Sequence, residues 1–331
     1  MTGDFNVISL FSGCGGSSLG YHMAGGNVLC AVEKEIHAAN NYELNFTDTE
    51  LFQQDICKIT SKDLLNAAGL DAGELDILDG SPPCQGFSIC GARNPKNPKN
   101  QLYLEYIRML SEISPKAFVM ENVTGMLRPN MRPIYRDILN NLQKSGYHVF
   151  VRSLNAMNYG VAQSRNRLIF TGVRNDLWNN NMDFPNSMFP NPQDKVISSQ
   201  QALENVPFDE KHFIKNEIIR NIWEKAKFGE DFDTYVKNKY FDCTKLNPHK
   251  PSTTIKAYIR VNGQSGLFHW EEPRFMTINE LKRLQSFPDS FRLEGSFIKK
   301  WECIGNSVPP LMMKAIGKHV NKTFLCNEVN T

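Results

Sequence analysis

The chain has 331 residues, with 37 lysines and arginines against 35 aspartates and glutamates and a hydrophobic fraction of 41%. That length suits one large domain, or one domain with a smaller companion, and the composition is that of an ordinary soluble globular protein. A formal charge of +2 is too small to signal nucleic-acid binding by itself, although one face can still be locally basic. No run is apolar enough to span a bilayer, and residues 1–20 do not read as a signal peptide. The expectation is therefore an intracellular protein with no membrane partner. The eight cysteines, at 14, 30, 57, 84, 90, 243, 303 and 326, include no C-x-x-C pair. This argues against a structural metal, and without a secretion signal the thiols are expected to be reduced.

In chain order, the first half alternates short apolar runs with helical patterns. Strands are predicted at Asn6–Leu10, Val28–Val32, Leu51–Ile56, Leu75–Asp79 and Ala117–Glu121, and helices near Ser17–Ala24, His37–Asn45, Gln101–Ser111 and Ile134–Ser145. Val149–Leu154 and Arg167–Val173 read as a closing strand pair. Such alternation predicts an α/β fold with a doubly wound, mostly parallel sheet. Near residue 176 the texture changes to a polar, proline-rich stretch, Asn179 to Pro192, that reads as a linker. Residues 195–275 lack the alternation; helices are expected again at Ile278–Ser286 and Pro309–Phe324.

Chemistry-bearing residues cluster where the predicted strands end. Phe11-Ser12-Gly13-Cys14-Gly15-Gly16 lies between the first strand and a helix, where glycines let a ligand approach the backbone. Glu33 ends the second strand, where a carboxylate can accept ribose hydroxyls, and Asp55 closes the third. The spacing is not the G-x-G-x-x-G of pyrophosphate binders, which favours an adenosyl ligand without a diphosphate. Gly80-Ser81-Pro82-Pro83-Cys84-Gln85 presents a thiol on a proline-stiffened loop beyond the fourth strand. That thiol is either a nucleophile or one more inert buried cysteine. Glu121 ends the next strand, as a proton donor or a helix cap. Arg165 and Arg167, on alternate residues of a strand start, share a face and aim at a substrate oxygen or at phosphates, or are solvated charges.

Taken in order, these residues resemble one family, the DNA (cytosine-5)-methyltransferases that use S-adenosylmethionine. The resemblance runs through Phe11-x-Gly13-x-Gly15-Gly16, Glu33, Asp55, Pro83-Cys84-Gln85 and Glu121-Asn122-Val123. It continues through Gln163-x-Arg165-x-Arg167, Pro251-Ser252-x-Thr254-Ile255, Arg283-x-Gln285-x-Phe287-Pro288 and Gly305-Asn306-Ser307-Val308-Pro309. It implies that Phe11, Gly13, Gly15, Gly16, Glu33, Asp55, Ile56, Pro83, Leu102, Asn306 and Ser307 line the cofactor site. Cys84 would attack cytosine, Glu121 would sit against N3, and Arg165 and Arg167 would bind O2 and nearby backbone. Gln85 and Ser88 would belong to a substrate loop within Gly86–Asn100 or directly before it. Lys34 departs from the pattern, standing where the family often packs a side chain on the adenine, and so does Asn97-Pro98-Lys99-Asn100.

The same resemblance implies a catalytic domain over 1–178, a small, irregular target-recognition domain with its linker over 179–276, and a return to the catalytic domain over 277–331. Within the recognition region, Lys237, Lys239, Lys245, Lys250, Lys256 and Arg260 interleave with Tyr235, Tyr240, Phe241 and Tyr258, a mixture that suits phosphate contacts or a plain solvated face. The implied partner is double-stranded DNA in a bacterial or phage modification system, with a cognate restriction endonuclease acting on the same site. Rival readings are a tRNA cytosine-5 methyltransferase of the same family, a non-catalytic nucleic-acid-binding relative and a nucleotide-dependent oxidoreductase. The absent Cys-Phe-Thr signature, the intact Cys84–Glu121–Arg165–Arg167 set and the missing G-x-G-x-x-G argue against them in turn.

Overall fold

A computed structural model describes residues 4–83, 102–178, 189–236, 243–260 and 265–325. The chain divides into two compact units, one of residues 1–154, 166–191 and 313–331, the other of 155–165 and 192–312.

The first unit opens β1 (Phe5–Leu10), α1 (Gly16–Met23), β2 (Gly26–Val32), α2 (Ile36–Glu43), β3 (Glu50–Phe52) and α3 (Ser61–Ala68). It continues β4 (Ile77–Gly80), α4 (Leu102–Ile113), β5 (Ala117–Val123), α5 (Arg132–Lys144), β6 (Tyr147–Asn155) and β7 (Asn166–Arg174). Seven strands form one sheet in the order β3-β2-β1-β4-β5-β7-β6. The pairs from β3 to β5 are parallel, and β7 runs antiparallel to β5. The chain winds outward from β1 through β2 to β3, then returns to lay β4 and β5 on the other side of β1. The switch point lies between β1 and β4, the place where open α/β sheets bind ligands. This is the doubly wound, mostly parallel sheet that the alternation predicts.

Strands buried on both faces read as apolar runs, which is why β1, β2, β4 and β5 are legible in the sequence. Helix α4 buries Tyr106, Met109, Leu110 and Ile113, spaced i, i+3, i+4, i+7. Each such side chain stabilises the fold by about 1.5–3 kcal/mol. Two expectations change here. β3 is only three residues long, so Asp55 lies beyond it and caps a 3-10 turn at Ile56–Lys58 rather than closing a strand. Helix α3 is not among the expected helices; its start is a capping box between Thr60 and Asp63 and its end a left-handed Gly69.

The second unit contains α6 (Ser199–Ala202), α7 (Glu217–Lys225), β8 (Cys243–Lys245), β9 (Gly266–Phe268), α8 (Ile278–Leu284) and α9 (Phe297–Asn306). Its only sheet among the described residues is the parallel pair β8–β9. The core is aromatic: Phe232 stacks on Phe268 at 5.1 Å, Phe268 meets Phe275 at 4.7 Å, and Phe275 meets Trp301 edge-on at 6.3 Å. Arg274 forks onto both carboxylate oxygens of Glu280, at 2.9 and 2.8 Å, with both residues buried. Glu280 also closes the capping box of α8 with Thr277. Helix α10 (Pro310–Val320) follows, and from residue 313 onward it belongs to the first unit. A Cβ built on Gly317 would lie only 3.0–3.4 Å from Tyr21 and Ala24, so this helix packs closely on α1 and the turn after it. No helix among the described residues is long and apolar enough to cross a membrane.

Candidate active site

Parallel register brings the ends of β1, β2, β4 and β5 to one edge of the sheet: Leu10 pairs with Val32 and Gly80, and Gly80 pairs with Met120. The residues that follow each strand therefore face the same edge. After β1 the backbone turns left-handed at Phe11 (φ 57°), Gly13 (58°) and Gly15 (97°). For a bulky residue such as Phe11 this conformation costs about 1–3 kcal/mol and marks a site the surroundings over-determine. A Cβ on Gly13 would project into open space, whereas one on Gly15 would lie 2.1 Å from the ring of Phe46. Gly15 is thus required by packing as well as by φ, and Gly13 leaves room at the turn. Gly16 opens α1 directly after it.

Glu33, just beyond β2, accepts the Gly13 N–H at 2.8 Å and the Glu35 N–H at 2.7 Å, one on each oxygen. Burial pushes its carboxyl above the usual range, and the backbone N–H groups of Glu35, Gly13 and Lys34 pull the other way. Asp55 accepts the Cys57 N–H at 3.1 Å and the Lys34 ammonium at 2.6 Å. The bond from Lys34 is the main reason its carboxyl is held low. Ile56 beside it is buried, and Leu102 opens α4 half-buried against the core of this unit.

At the switch point a polar cluster lies inside the sheet. Asp79 of β4, 1% exposed, accepts the Ser9 hydroxyl of β1 at 2.9 Å and the Tyr21 hydroxyl of α1 at 3.2 Å. Burial raises its carboxyl to about 7, and the nearby charge of Glu121 adds to the shift. Two residues later Ser81 donates its N–H to Leu10 O at 3.3 Å, so the β1–β4 pairing extends into the turn before Pro82 and Pro83. Cys84, Gln85, Ser88 and the segment Gly86–Asn100 lie outside the described residues.

Glu121 sits near the end of β5, buried, with one oxygen 2.6 Å from Arg167 Nε of the neighbouring strand. Asn122, to which sequence reasoning gave no role, donates its side-chain amide to Pro82 O at 3.2 Å, and its own oxygen accepts the Val123 N–H at 2.8 Å. It fastens the end of β5 to the turn that leads to Cys84. Its one signal in the sequence is its place beside Glu121.

The sequence pairs Arg165 with Arg167 on one strand face, but β7 begins only at Asn166. Arg165 falls in the second unit, 2% exposed, and donates to Ile255 O at 2.9 Å and Gly305 O at 2.8 Å. Around it Gln163 bonds to Gln285 and accepts the Ile255 N–H at 3.1 Å. Gln285 donates to Ser307 O at 2.6 Å. Ser164 donates to Ser252 O at 2.8 Å and accepts, at its carbonyl, Thr254 Oγ1 at 2.9 Å. Four separate sequence motifs thus meet in one buried hydrogen-bond hub. Ser307 is buried there with its hydroxyl on Cys303 O at 2.7 Å, and Asn306, at the end of α9, is exposed.

Among the basic residues of the recognition region, Lys237 and Lys239 lie outside the described residues, as do Tyr240 and Phe241. Lys245 does not face solvent. It is 7% exposed, donates to Trp223 O at 3.1 Å and lies 4.0 Å from the centre of the Trp223 ring. Every residue of its short strand is buried, and burial lowers its pKa. Lys250 and Arg260 are exposed, and the Arg260 guanidinium lies over the Tyr258 ring, 5.4 Å from its centre.

The model of C-5 cytosine-specific DNA methylases matches residues 5–322. The chain is similar to the Type II methyltransferase M1.HphI of Haemophilus parahaemolyticus, with 32% identity over 95% of this chain and 86% of the relative. It is similar to M.FnuDI of Fusobacterium nucleatum, with 31% identity over 97% and 96%. Among solved structures it resembles a DNA modification methyltransferase described as encoded within an E. coli prophage, with 27% identity, a TM-score of 0.78, and 97% and 99% of the two chains covered. The chain belongs to the C-5 cytosine-specific DNA methylase family, and its enzyme class is DNA (cytosine-5)-methyltransferase.

Proposed function

We propose that this enzyme methylates carbon 5 of a cytosine turned out of double-stranded DNA at one short sequence, with S-adenosylmethionine as donor and a covalent bond from Cys84 to C6. The observation that carries the reading is the edge built by β4 and β5. There Glu121 is held by Arg167, and Asn122 grips Pro82, two residues before the thiol.

The chemistry calls for these groups. Cytosine C5 is too weak a nucleophile to take a methyl group unaided. The Cys84 thiolate adds to C6, which leaves enamine character between C5 and C6. Glu121 stabilises that adduct by a hydrogen bond or proton to N3. Arg167, beside it, suits the O2 contact, and Arg165 acts as a positioning residue through the carbonyls it holds. After transfer, loss of the C5 proton and expulsion of Cys84 restore the aromatic ring. A base inside a duplex stack offers no room for attack at C6, so the target must leave the stack.

The edge beyond β1 and β2 fits an adenosyl ligand. Glu33, pre-set by two N–H donors, keeps lone pairs for ribose hydroxyls, and Asp55 with Ile56 suits the adenine edge. Phe11, Gly13, Gly15, Gly16, Pro83 and Leu102 complete the lining, and the open space at Gly13 supports it. Bound there, S-adenosylmethionine supplies an electrophilic methyl group and leaves as S-adenosylhomocysteine. We assign catalysis to residues 1–178, target recognition to 179–276 and the return to the catalytic domain to 277–331. The Type II relatives support a place beside a restriction endonuclease of the same specificity, in the compartment that holds the DNA.

Radiolabelled methyl transfer to mixed-sequence DNA and, in parallel, to total tRNA tests the reading. Label in DNA at one short motif, as 5-methylcytosine, is the expected result. Label confined to tRNA would replace the substrate, and no label in either would overturn the assignment.

A further inference from the structure

Between Glu121 and Asp137 the chain carries three arginines, Arg128, Arg132 and Arg136, and no acidic residue. In a protein whose charges nearly cancel, this is a local concentration of one sign. All three side chains are exposed, as is Leu127 at 44%. Both flanking acids are already engaged: Glu121 with Arg167, and Asp137 with the hydroxyl of Tyr103. Among the described residues, none of the three arginines forms an ion pair.

Helix stability does not explain them. Arg132 opens α5, where the helix dipole favours an acid, and the first turn has none. Arg132 and Arg136 are neighbours at i, i+4 and repel each other. Ile138 and Leu142 form the buried side of the helix, so the arginines are not held by packing either. Residues that work against their own element without a visible structural gain mark a surface selected for something outside the chain.

Their place in the fold names the partner. β5 delivers the chain to the edge that carries Glu121, and the turns at Thr124–Leu127 and Pro129–Met131 lead from that edge into α5. Arg128 follows Glu121 by seven residues. We propose that Arg128, Arg132 and Arg136 form a phosphate-binding ridge of the first unit that grips the backbone of duplex DNA beside the target base, outside the target-recognition region. Arginine presents a planar fork of donors matched to phosphate oxygens. Contacts of this kind fix register and carry no sequence information. The proposal rests on the reading of the protein as a DNA methyltransferase.

The test is the salt dependence of binding of the full-length protein, with S-adenosylhomocysteine present, to a mixed-sequence DNA duplex. The variants are the triple change R128Q/R132Q/R136Q and a control that neutralises exposed Lys62, Lys318 and Lys322. Removing one arginine–phosphate pair lowers the slope of log K against log salt by about 0.9, so removing three lowers it by about 2.7. Between about 50 and about 200 mM salt the triple variant should then lose roughly 40-fold less affinity than the parent. S-adenosylhomocysteine binding should be unchanged in all three proteins, which shows that they are folded. A parent-like slope in the triple variant, or an equal drop in the control, overturns the ridge and leaves the methyltransferase reading standing. A parent protein that binds no duplex at any salt overturns both.

Discussion

The two units bury polar side chains in equal earnest but for different ends. In the first, Glu33, Asp79, Glu121 and Asn122 lie at strand ends along one edge, and their partners are backbone N–H groups, hydroxyls, a single arginine and, for Asn122, the Pro82 carbonyl. In the second, Gln163, Arg165, Gln285, Arg274 and Glu280 lie within the scaffold, and much of their bonding capacity goes to one another and to main-chain carbonyls. A regular sheet supplies its own backbone hydrogen bonds, so few of its polar side chains are needed to hold the main chain. An irregular unit with one short strand pair among the described residues lacks that supply, and side chains take over the work of holding the backbone. Residues that look equally chemical in the sequence therefore divide into those gathered at the sheet edge, which the proposed function assigns to substrate, and those that hold loops.

The contrast predicts unequal consequences. Cys84→Ser should lower methyl transfer by roughly 10³-fold or more while S-adenosylhomocysteine still binds. Joint loss of both would make Cys84 a structural residue of the edge. Glu121→Gln should cost about 10²–10⁴ in turnover with cofactor affinity kept; parent-like turnover would remove the N3 role. In the second unit Arg274→Met should cost about 3–5 kcal/mol of stability, read by urea unfolding, because it strands the Glu280 carboxylate. Replacing Arg274 and Glu280 together with apolar residues should cost far less. If the single and double changes cost the same, this buried pair does not act as a coupled charge pair.

Asp79 offers a pH test of the first unit. Its folded pKa of about 7 lies above the unfolded value near 3.8. Between those two values the folded state holds a proton that the unfolded state has lost. Stability from this group is therefore full below about pH 4 and declines as pH rises to about 7, by on the order of a few kcal/mol. Asp79→Asn should flatten that decline in thermal unfolding between about pH 5 and about pH 8; parallel curves would mean the carboxyl does not titrate as a buried group. The smallest contrast lies at the cofactor edge. Asp55→Ala should weaken S-adenosylhomocysteine binding on the order of 10–100-fold, whereas Lys34→Gln, which removes an exposed partner, should change it by no more than about threefold. A larger effect of Lys34 would make it the residue that aims Asp55.

Much of the first unit is legible in the order of its residues. β1, β2, β4 and β5 are apolar runs, α4 has a clean helical period, and the glycine turn, Glu33 and Glu121 stand at strand ends where a doubly wound sheet gathers its chemistry. Local pattern carries this information because strand and helix periods are properties of neighbouring residues. It also carries the family, through short motifs in a fixed order. It does not carry the division of labour among those motifs.

That division is settled between residues far apart in the chain. Ser9 and Asp79 are separated by 70 positions and Arg165 and Gly305 by 140. No local signal marks Asp79 as a buried acid at the switch point, Lys245 as a cation packed on Trp223, or Arg165 as a brace for two carbonyls. Each is defined by what the topology brings against it, because a buried charge needs a partner. The amino-acid sequence by itself determined the sheet, the order of the motifs and the kind of chemistry. Tertiary structure alone decided which of those residues are tied into the scaffold, because partnership and desolvation exist only once distant segments have met.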